Sequence, residues 1–268
     1  MSPHPRRALR GGLGWLATGV ALAAQRARAA APDTADSGKH GMLEEILPAG
    51  VAAVEAFGDV LDIVLFPEEE AALGSAVDKR RREFTTARAC ARTALATLGR
   101  PPVPIVPGLR GAPQWPSGVV GSMTHCAGYR AAAVARVQDM LTIGLDAEPD
   151  DRLPEGVLDV IATAGERAGL CALASAAPEP CWDRLLFSAK ESVYKAWFPL
   201  TRRWLGFDEA AITINPADGT FTARLLVPGP LLAGRRLTGF AGRWLARHGL
   251  VLTAIAVPSS ASDLGKPD

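Results

Sequence analysis

Two stretches of the chain bring together residue types that can act on phosphate. Ile143-Gly-Leu-Asp-Ala-Glu-Pro149 follows apolar Met140 and Leu141 and alternates like a strand. Its side chains point to opposite faces in turn, so Asp146 and Glu148 leave the same face. Downstream, Phe187-Ser-Ala-Lys-Glu-Ser-Val-Tyr-Lys-Ala-Trp197 has the spacing of an amphipathic helix. There Leu186, Val193 and Trp197 share one stripe, while Glu191 and Lys195, at i and i+4, point away from it. Three carboxylates with open positions suit Mg²⁺, which keeps waters and meets substrate phosphates. Each feature also has a plainer reading. Acids at a strand end often only cap a following helix, and a Glu-to-Lys pair one turn apart is a surface ion pair worth about 0.2–0.5 kcal/mol.

The surrounding elements must hold those stretches in place. The apolar run Val60 to Phe66 reads as a strand, and Pro67 followed by three glutamates opens a short helix with Pro and acids in its first turn. Lys79 to Leu98 reads as a long helix with Phe84, Ala91, Leu95 and Leu98 on its apolar stripe. Arg81, Arg88 and Arg92 fall along the edge of that stripe, and Gly99-Arg-Pro-Pro102 ends the helix. The proline-rich stretch 101–116 reads as a loop that carries Arg110 within reach of a ligand. Strands follow over Val119 to Thr124 and Tyr129 to Val137, the first ending at Thr124-His125. Beyond the acidic strand, helical segments precede a helix from Trp182 to Phe198, which Pro199 is expected to stop. Two antiparallel pairs close the chain, one around Pro216-Ala-Asp-Gly219 and one across His248-Gly249.

Composition sets outer limits. The 268 residues, 48% hydrophobic and 21% charged, suffice for one large or two modest domains with a real core. A net charge of +1 supplies no field to recruit nucleic acid or membrane, so any anion site must be a local cluster of Arg and Lys. Cys90, Cys126, Cys171 and Cys181 show no C-x-x-C spacing and have too few histidines nearby for a zinc set, which makes reduced thiols the expectation. Neither G-x-x-x-x-G-K-[ST] nor G-x-G-x-x-G occurs, which argues against a nucleoside-triphosphate phosphotransferase.

The joint wording of the two stretches, G-[IVL]-D-x-E and then [FW]-[ST]-x-K-E-[SA]-x-x-K, resembles that of the 4′-phosphopantetheinyl transferases of the surfactin-activating and enterobactin-component-D type. The segment Trp115 to Cys126 is similar to the one that precedes the metal strand in that family. Arg82-Glu-Phe with Arg88, Ala91 and Arg92 resembles its basic helix. The resemblance covers most of residues 42–257. It implies an α+β fold of two similar αβ halves, 42–138 and 139–258, packed as a pseudo-dimer around a cofactor cleft. It further implies Mg²⁺-dependent transfer of the phosphopantetheine arm of coenzyme A to a serine of an acyl or peptidyl carrier protein, in siderophore, nonribosomal peptide or polyketide synthesis.

By the same resemblance Asp146, Glu148 and Glu191 hold the metal, and Arg81, Arg88, Arg110, Thr124, His125, Asp146, Lys190 and Lys195 contact the cofactor. Lys195 supports charge on the leaving oxygen. Glu191 is the candidate base, with a metal-bound water as the alternative, because a tight metal ligand is not also a free base. A monomer in the cytoplasm is expected. An inactive carrier-binding module or an exported binding protein is the rival, favoured only by the N-terminus.

Residues 1–41 stand against the rest. Arg6, Arg7 and Arg10 precede an apolar run from Gly14 to Ala24 and then Ala27-Arg-Ala-Ala30, the pattern of a secretory signal. Coenzyme A and unpaired cysteines call for the cytosol instead, and Met42 opens a segment like the usual family start. Residues 1–41 are therefore read as an extension outside the core, and 259–268 as a small polar tail. A chain beginning at Met42 should fold and transfer the arm as fast as the full chain, measured by carrier modification under equal conditions. An insoluble or inactive truncation, or full-length protein processed near Ala29 or Ala31 outside the cytosol, would contradict this.

Overall fold

The computed structural model describes residues 41–259, so the signal-like stretch 1–40 and the tail 260–268 lie outside the described residues. Ten strands and six α-helices occur among the described residues. Helix α1 (Met42–Ile46) leads to β1 (Ala52–Phe57), α2 (Pro67–Leu73), α3 (Asp78–Thr97), β2 (Val119–Cys126), β3 (Tyr129–Arg136) and β4 (Met140–Pro149). Then follow α4 (Val157–Ile161), α5 (Ala164–Ala176), α6 (Trp182–Thr201), β5 (Ala210–Asn215), β6 (Thr220–Leu225), a small hairpin β7–β8 (Leu231–Leu232 and Arg235–Arg236), β9 (Gly239–Arg247) and β10 (Leu250–Pro258). The strands build two principal antiparallel sheets of unequal width, β1-β3-β2 and β4-β10-β9-β6-β5.

Alternation along β3 and β4 decides what each face touches. In β3, Ala132 and Val134 pack toward Cys90, Ala91, Ala94 and Leu95 of α3, while Tyr129, Ala131, Ala133 and Ala135 face the opposite way. That second face joins Ile143, Leu145 and Ala147 of β4 and Leu250, Leu252 and Ala254 of β10 in one core. An alanine-rich strand buried on both faces lets helix and sheet approach it closely from either side. The even-numbered residues of β4 turn toward α6. Thr142 donates to the Ala196 carbonyl at 2.9 Å, and Gly144 lies against the Ser192 carbonyl, where a Cβ would collide with it. Asp146 and Glu148 continue the same row.

The outer edge of β4 meets β2 through side chains. Leu145 N–H donates to Ser122 Oγ and Ala147 N–H to Thr124 Oγ1, both at 3.1 Å. Ser122 and Thr124 alternate on β2 with the pitch of the facing amides, so hydroxyls replace the missing ladder partner. The two sheets are thus joined where the acidic strand runs.

Several local expectations need correction. Residues 60–66 are not a strand: the chain bends at Leu61 and Asp62, the latter in the left-handed region, and finds no ladder partner, with Leu61 and Val64 at 77% and 85% exposure, and the strand lies earlier at Ala52–Phe57. Apolar character alone did not supply a neighbouring strand to pair with. Pro199 does not stop α6, which continues to Thr201 and ends with Arg202 in the left-handed region. In the last turn, Pro199 forfeits only the bond from its own missing N–H, and the helix closes through Arg202 N–H to the Phe198 carbonyl at 2.8 Å. Ser259, assigned to the tail, is still tied to the Asp139 and Val137 carbonyls.

Replacing Gly144 with alanine tests the contact between β4 and α6. The added methyl must push the strand off the Ser192 carbonyl and the Ala196 amide. Stability should fall by roughly 3 kcal/mol or more in urea unfolding. An unchanged midpoint would show that β4 and α6 can separate freely.

Candidate active site

Asp146 is the most enclosed of the three acids, at 4% exposure. Its Oδ1 accepts from Lys195 Nζ at 2.8 Å and lies 3.4 Å from the Thr124 hydroxyl, while its Oδ2 is buried with no hydrogen-bond partner among the described residues. Lys195 also donates to the Leu145 carbonyl at 2.9 Å. Glu148 accepts from Arg184 Nη1 at 3.1 Å through Oε2. The sequence expectation that Asp146 and Glu148 share a face holds, and so does the placement of Lys195 off the apolar stripe.

The electrostatics show the acids pressing on one another. Burial pushes Glu148 up to about 8, with the Asp146 and Glu191 charges adding and Arg184 and Lys195 opposing. Burial pushes Glu191 up to about 7, again with Asp146 adding and Lys195 opposing. Carboxylates crowded in this way are relieved by a cation. Among the described residues no three Asp, Glu, His or Cys side chains are already drawn together closely enough to hold an ion. The donor set still fits Mg²⁺, since it is all oxygen, includes a buried orphan at Asp146 Oδ2, and is flanked by two acids that gain from a neighbouring cation.

The other predicted site residues divide. Thr124 joins the cluster through Asp146 and the Ala147 amide. His125, at the end of the same strand, lies 2.7 Å from Arg80 Nη1 through Nε2, and its Nδ1 lies 3.8 Å from Glu83. Packing and the charges of Arg80, Lys195 and Arg130 push the imidazole well below its ordinary value. The guanidinium of Arg80 can only donate, so Nε2 accepts from it and carries no proton. Arg110 sits in a left-handed conformation in its loop and lies over the Trp204 ring, 5.2 Å from its centroid.

Three expectations do not match the geometry. Arg81 is paired with Glu70 at 2.7 Å on the outside of α3. Arg88 is buried, donates to the Ile105 and Phe84 carbonyls and stacks on Phe84, so its guanidinium serves the core. Lys190 turns inward and donates to the Phe207 and Ala210 carbonyls while pairing with Glu166 at 2.9 Å, which occupies its three donors. Its stem carries the ammonium into the core and not toward a phosphate. Sequence reasoning missed Arg80, the cation at His125, because in Lys79-Arg-Arg-Arg82 nothing marks which arginine faces His125. It also missed Arg184, whose only signal is its place about two helical turns before Lys190-Glu191. All four cysteines are free, as expected.

An α+β protein in which buried acids and helix-borne cations gather beside a strand seam is suited to handling an anionic, phosphate-bearing cosubstrate. Residues 68–135 match the family model for the 4′-phosphopantetheinyl transferase N-terminal domain, and residues 142–244 match that of the 4′-phosphopantetheinyl transferase superfamily. The 4′-phosphopantetheinyl transferase Svp of Streptomyces mobaraensis is 57% identical over 223 residues, covering 82% of this chain and 91% of the relative. The 4′-phosphopantetheinyl transferase PptT of Mycobacterium tuberculosis is 49% identical over 224 residues, covering 81% of this chain and 98% of the relative. More distant is enterobactin synthase component D of Salmonella typhi, 33% identical over 201 residues, 73% of this chain and 79% of the relative. The chain belongs to the 4′-phosphopantetheinyl transferase superfamily, and it is an enzyme that uses coenzyme A to place phosphopantetheine on carrier proteins.

The raised carboxyls dictate a pH response. Between about 4.3, the value of a free glutamate, and about 7 to 8, the folded chain binds more protons at Glu148 and Glu191 than the unfolded chain does. Their contribution is therefore fully present below the unfolded value and is lost as pH rises through the folded values. Without divalent cations, melting temperature should show a downward component from pH 5 to 8 that the double variant E148Q/E191Q lacks. Parallel melting profiles for the two proteins would contradict the clustering.

Proposed function

We propose that this transferase is Mg²⁺-dependent and serves carrier proteins of siderophore, nonribosomal peptide or polyketide synthesis, acting as a monomer in the cytoplasm. The observation that carries the metal reading is the buried, unpartnered Asp146 Oδ2 beside two acids with raised pKa. Enterobactin synthase component D among the relatives supports the siderophore assignment. The cytoplasmic assignment is supported by the need for coenzyme A and by four free cysteines.

In this reading Asp146, Glu148 and Glu191 hold the ion, which when bound offsets charge on the pyrophosphate of coenzyme A. Lys195, fixed by Asp146 and the Leu145 carbonyl, offers its ammonium to the oxygen that leaves. Arg80 and the neutral His125 receive the nucleotide phosphates, with Arg80 in the role first expected of Arg81 and Arg88. Arg110 reaches the cofactor from its loop beside Trp204. Because Glu191 is counted among the ion's ligands it is not also the free base, and the proton of the carrier serine passes to a water in the site. The serine oxygen bonds to the β-phosphorus as its bond to the bridging oxygen breaks, and adenosine 3′,5′-bisphosphate departs.

Mass spectrometry tests the proposal directly. A peptidyl carrier protein incubated with enzyme, coenzyme A and Mg²⁺ should gain the mass of the arm on its serine, and EDTA should abolish the gain. D146A should lose activity by roughly a hundredfold or more while its circular dichroism spectrum is unchanged. Full activity in EDTA, or in D146A, would refute the metal role.

A further inference from the structure

Helix α6 sets one cation against each acid of β4. Lys195 holds Asp146 by Oδ1 at 2.8 Å, and Arg184, on the same helix but nearer its start, holds Glu148 by Oε2 at 3.1 Å. Arg184 is only 2% exposed and is fixed on every edge. Its Nε donates to the Asp151 carbonyl at 2.8 Å and its Nη2 to the Arg152 carbonyl at 3.1 Å, so the planar fork closes the bend after β4 onto the first turns of α6. Such a guanidinium cannot swing aside without losing backbone bonds in a buried setting, where each unmade bond is costly. Glu148 therefore has Oε1 available to an ion while Oε2 stays with Arg184.

This bears on which ion the site takes. Ca²⁺ uses six to eight oxygens and readily accepts both oxygens of a carboxylate, whereas Mg²⁺ requires near-octahedral geometry with short bonds and several waters. A carboxylate limited to one oxygen suits the second demand and offers fewer oxygens toward the first. Asp146 is limited in the same way, with Oδ1 bound to Lys195 and Oδ2 buried without a partner. We propose that Arg184 is a positioning residue that restricts Glu148 to single-oxygen ligation and thereby makes the site select small six-coordinate divalent cations over Ca²⁺. The inference rests on the reading of Asp146, Glu148 and Glu191 as the metal ligands. Arg184 makes it testable apart from chemistry, because unlike Lys195 it has no assigned part in phosphoryl transfer.

The test is competition for bound Mn²⁺, followed by electron paramagnetic resonance on the full chain with coenzyme A present and a protein-free blank subtracted. In the wild-type protein Mg²⁺ should displace Mn²⁺ at a concentration at least roughly tenfold below that needed for Ca²⁺. In R184Q the fork is lost and Glu148 is free to offer both oxygens, so the ratio should shift toward Ca²⁺ by roughly fivefold or more. R184K, which keeps the charge but can reach only part of the three-way contact, should fall between them. If R184Q does not fold, the wild-type ratio and R184K decide. Equal displacement by Mg²⁺ and Ca²⁺ in the wild type, or the wild-type ratio in a folded Arg184 variant, would overturn the proposal. Absence of Mn²⁺ binding by the wild-type protein would instead overturn the metal reading beneath it.

Discussion

The close backbone contact between β4 and α6 sets the position of everything else in the site. Gly144 leaves room for the Ser192 carbonyl, and no larger residue does. With strand and helix this near, a side chain as short as Asp146 can reach Lys195 and the longer Glu148 can reach Arg184. Thr142 fastens the other end of the strand to Ala196, and the Ser188 and Thr253 hydroxyls, 2.9 Å apart, tie the same helix to the neighbouring strand β10. The glycine of the acidic motif is thus a packing residue. The acids and bases around it are placed by its lack of a side chain.

Burial supplies the electrostatics and the two sheets share the work. The acids come from β4 and α6, but the hydroxyl that touches Asp146 and the histidine beyond it come from β2. The serine and threonine hydroxyls that stand in for a backbone ladder between β2 and β4 also bring His125 and Arg80 to the acidic strand. A cluster of like charges at low exposure raises the pKa of its members unless cations are supplied. The chain provides two, Lys195 and Arg184, and each binds only one oxygen of its acid. Two acids remain raised despite them, which is the physical reason to expect a further positive charge during catalysis.

Much of this was legible in the residues. Strand alternation put Asp146 and Glu148 on one face, and helical periodicity put Glu191 and Lys195 off the apolar stripe, because both patterns are local properties of the backbone. The order β4-β10-β9-β6-β5 was not legible, since pairing between distant strands depends on the packed whole. Arg81 and Arg88 were singled out where Arg80 stands beside His125: helical spacing defines a face but not what lies opposite it. Lys190 shows the same limit, as its inward turn depends on the Phe207 and Ala210 carbonyls and on Glu166, all remote in sequence. Residues 60–66 carried strand-like apolarity with no neighbour to pair with, and the chain left Leu61 and Val64 exposed.

We propose that Asp146, Glu148 and Glu191 converge on one divalent cation together with the pyrophosphate of coenzyme A. Crystals grown with coenzyme A and Mn²⁺, with data collected at the manganese absorption edge, test it most directly. One anomalous peak is expected, within bonding distance of a single oxygen from each of the three side chains, Oδ2 of Asp146 among them, and of the cofactor's pyrophosphate. Bound coenzyme A with no such peak, or with manganese held away from Asp146, would contradict it.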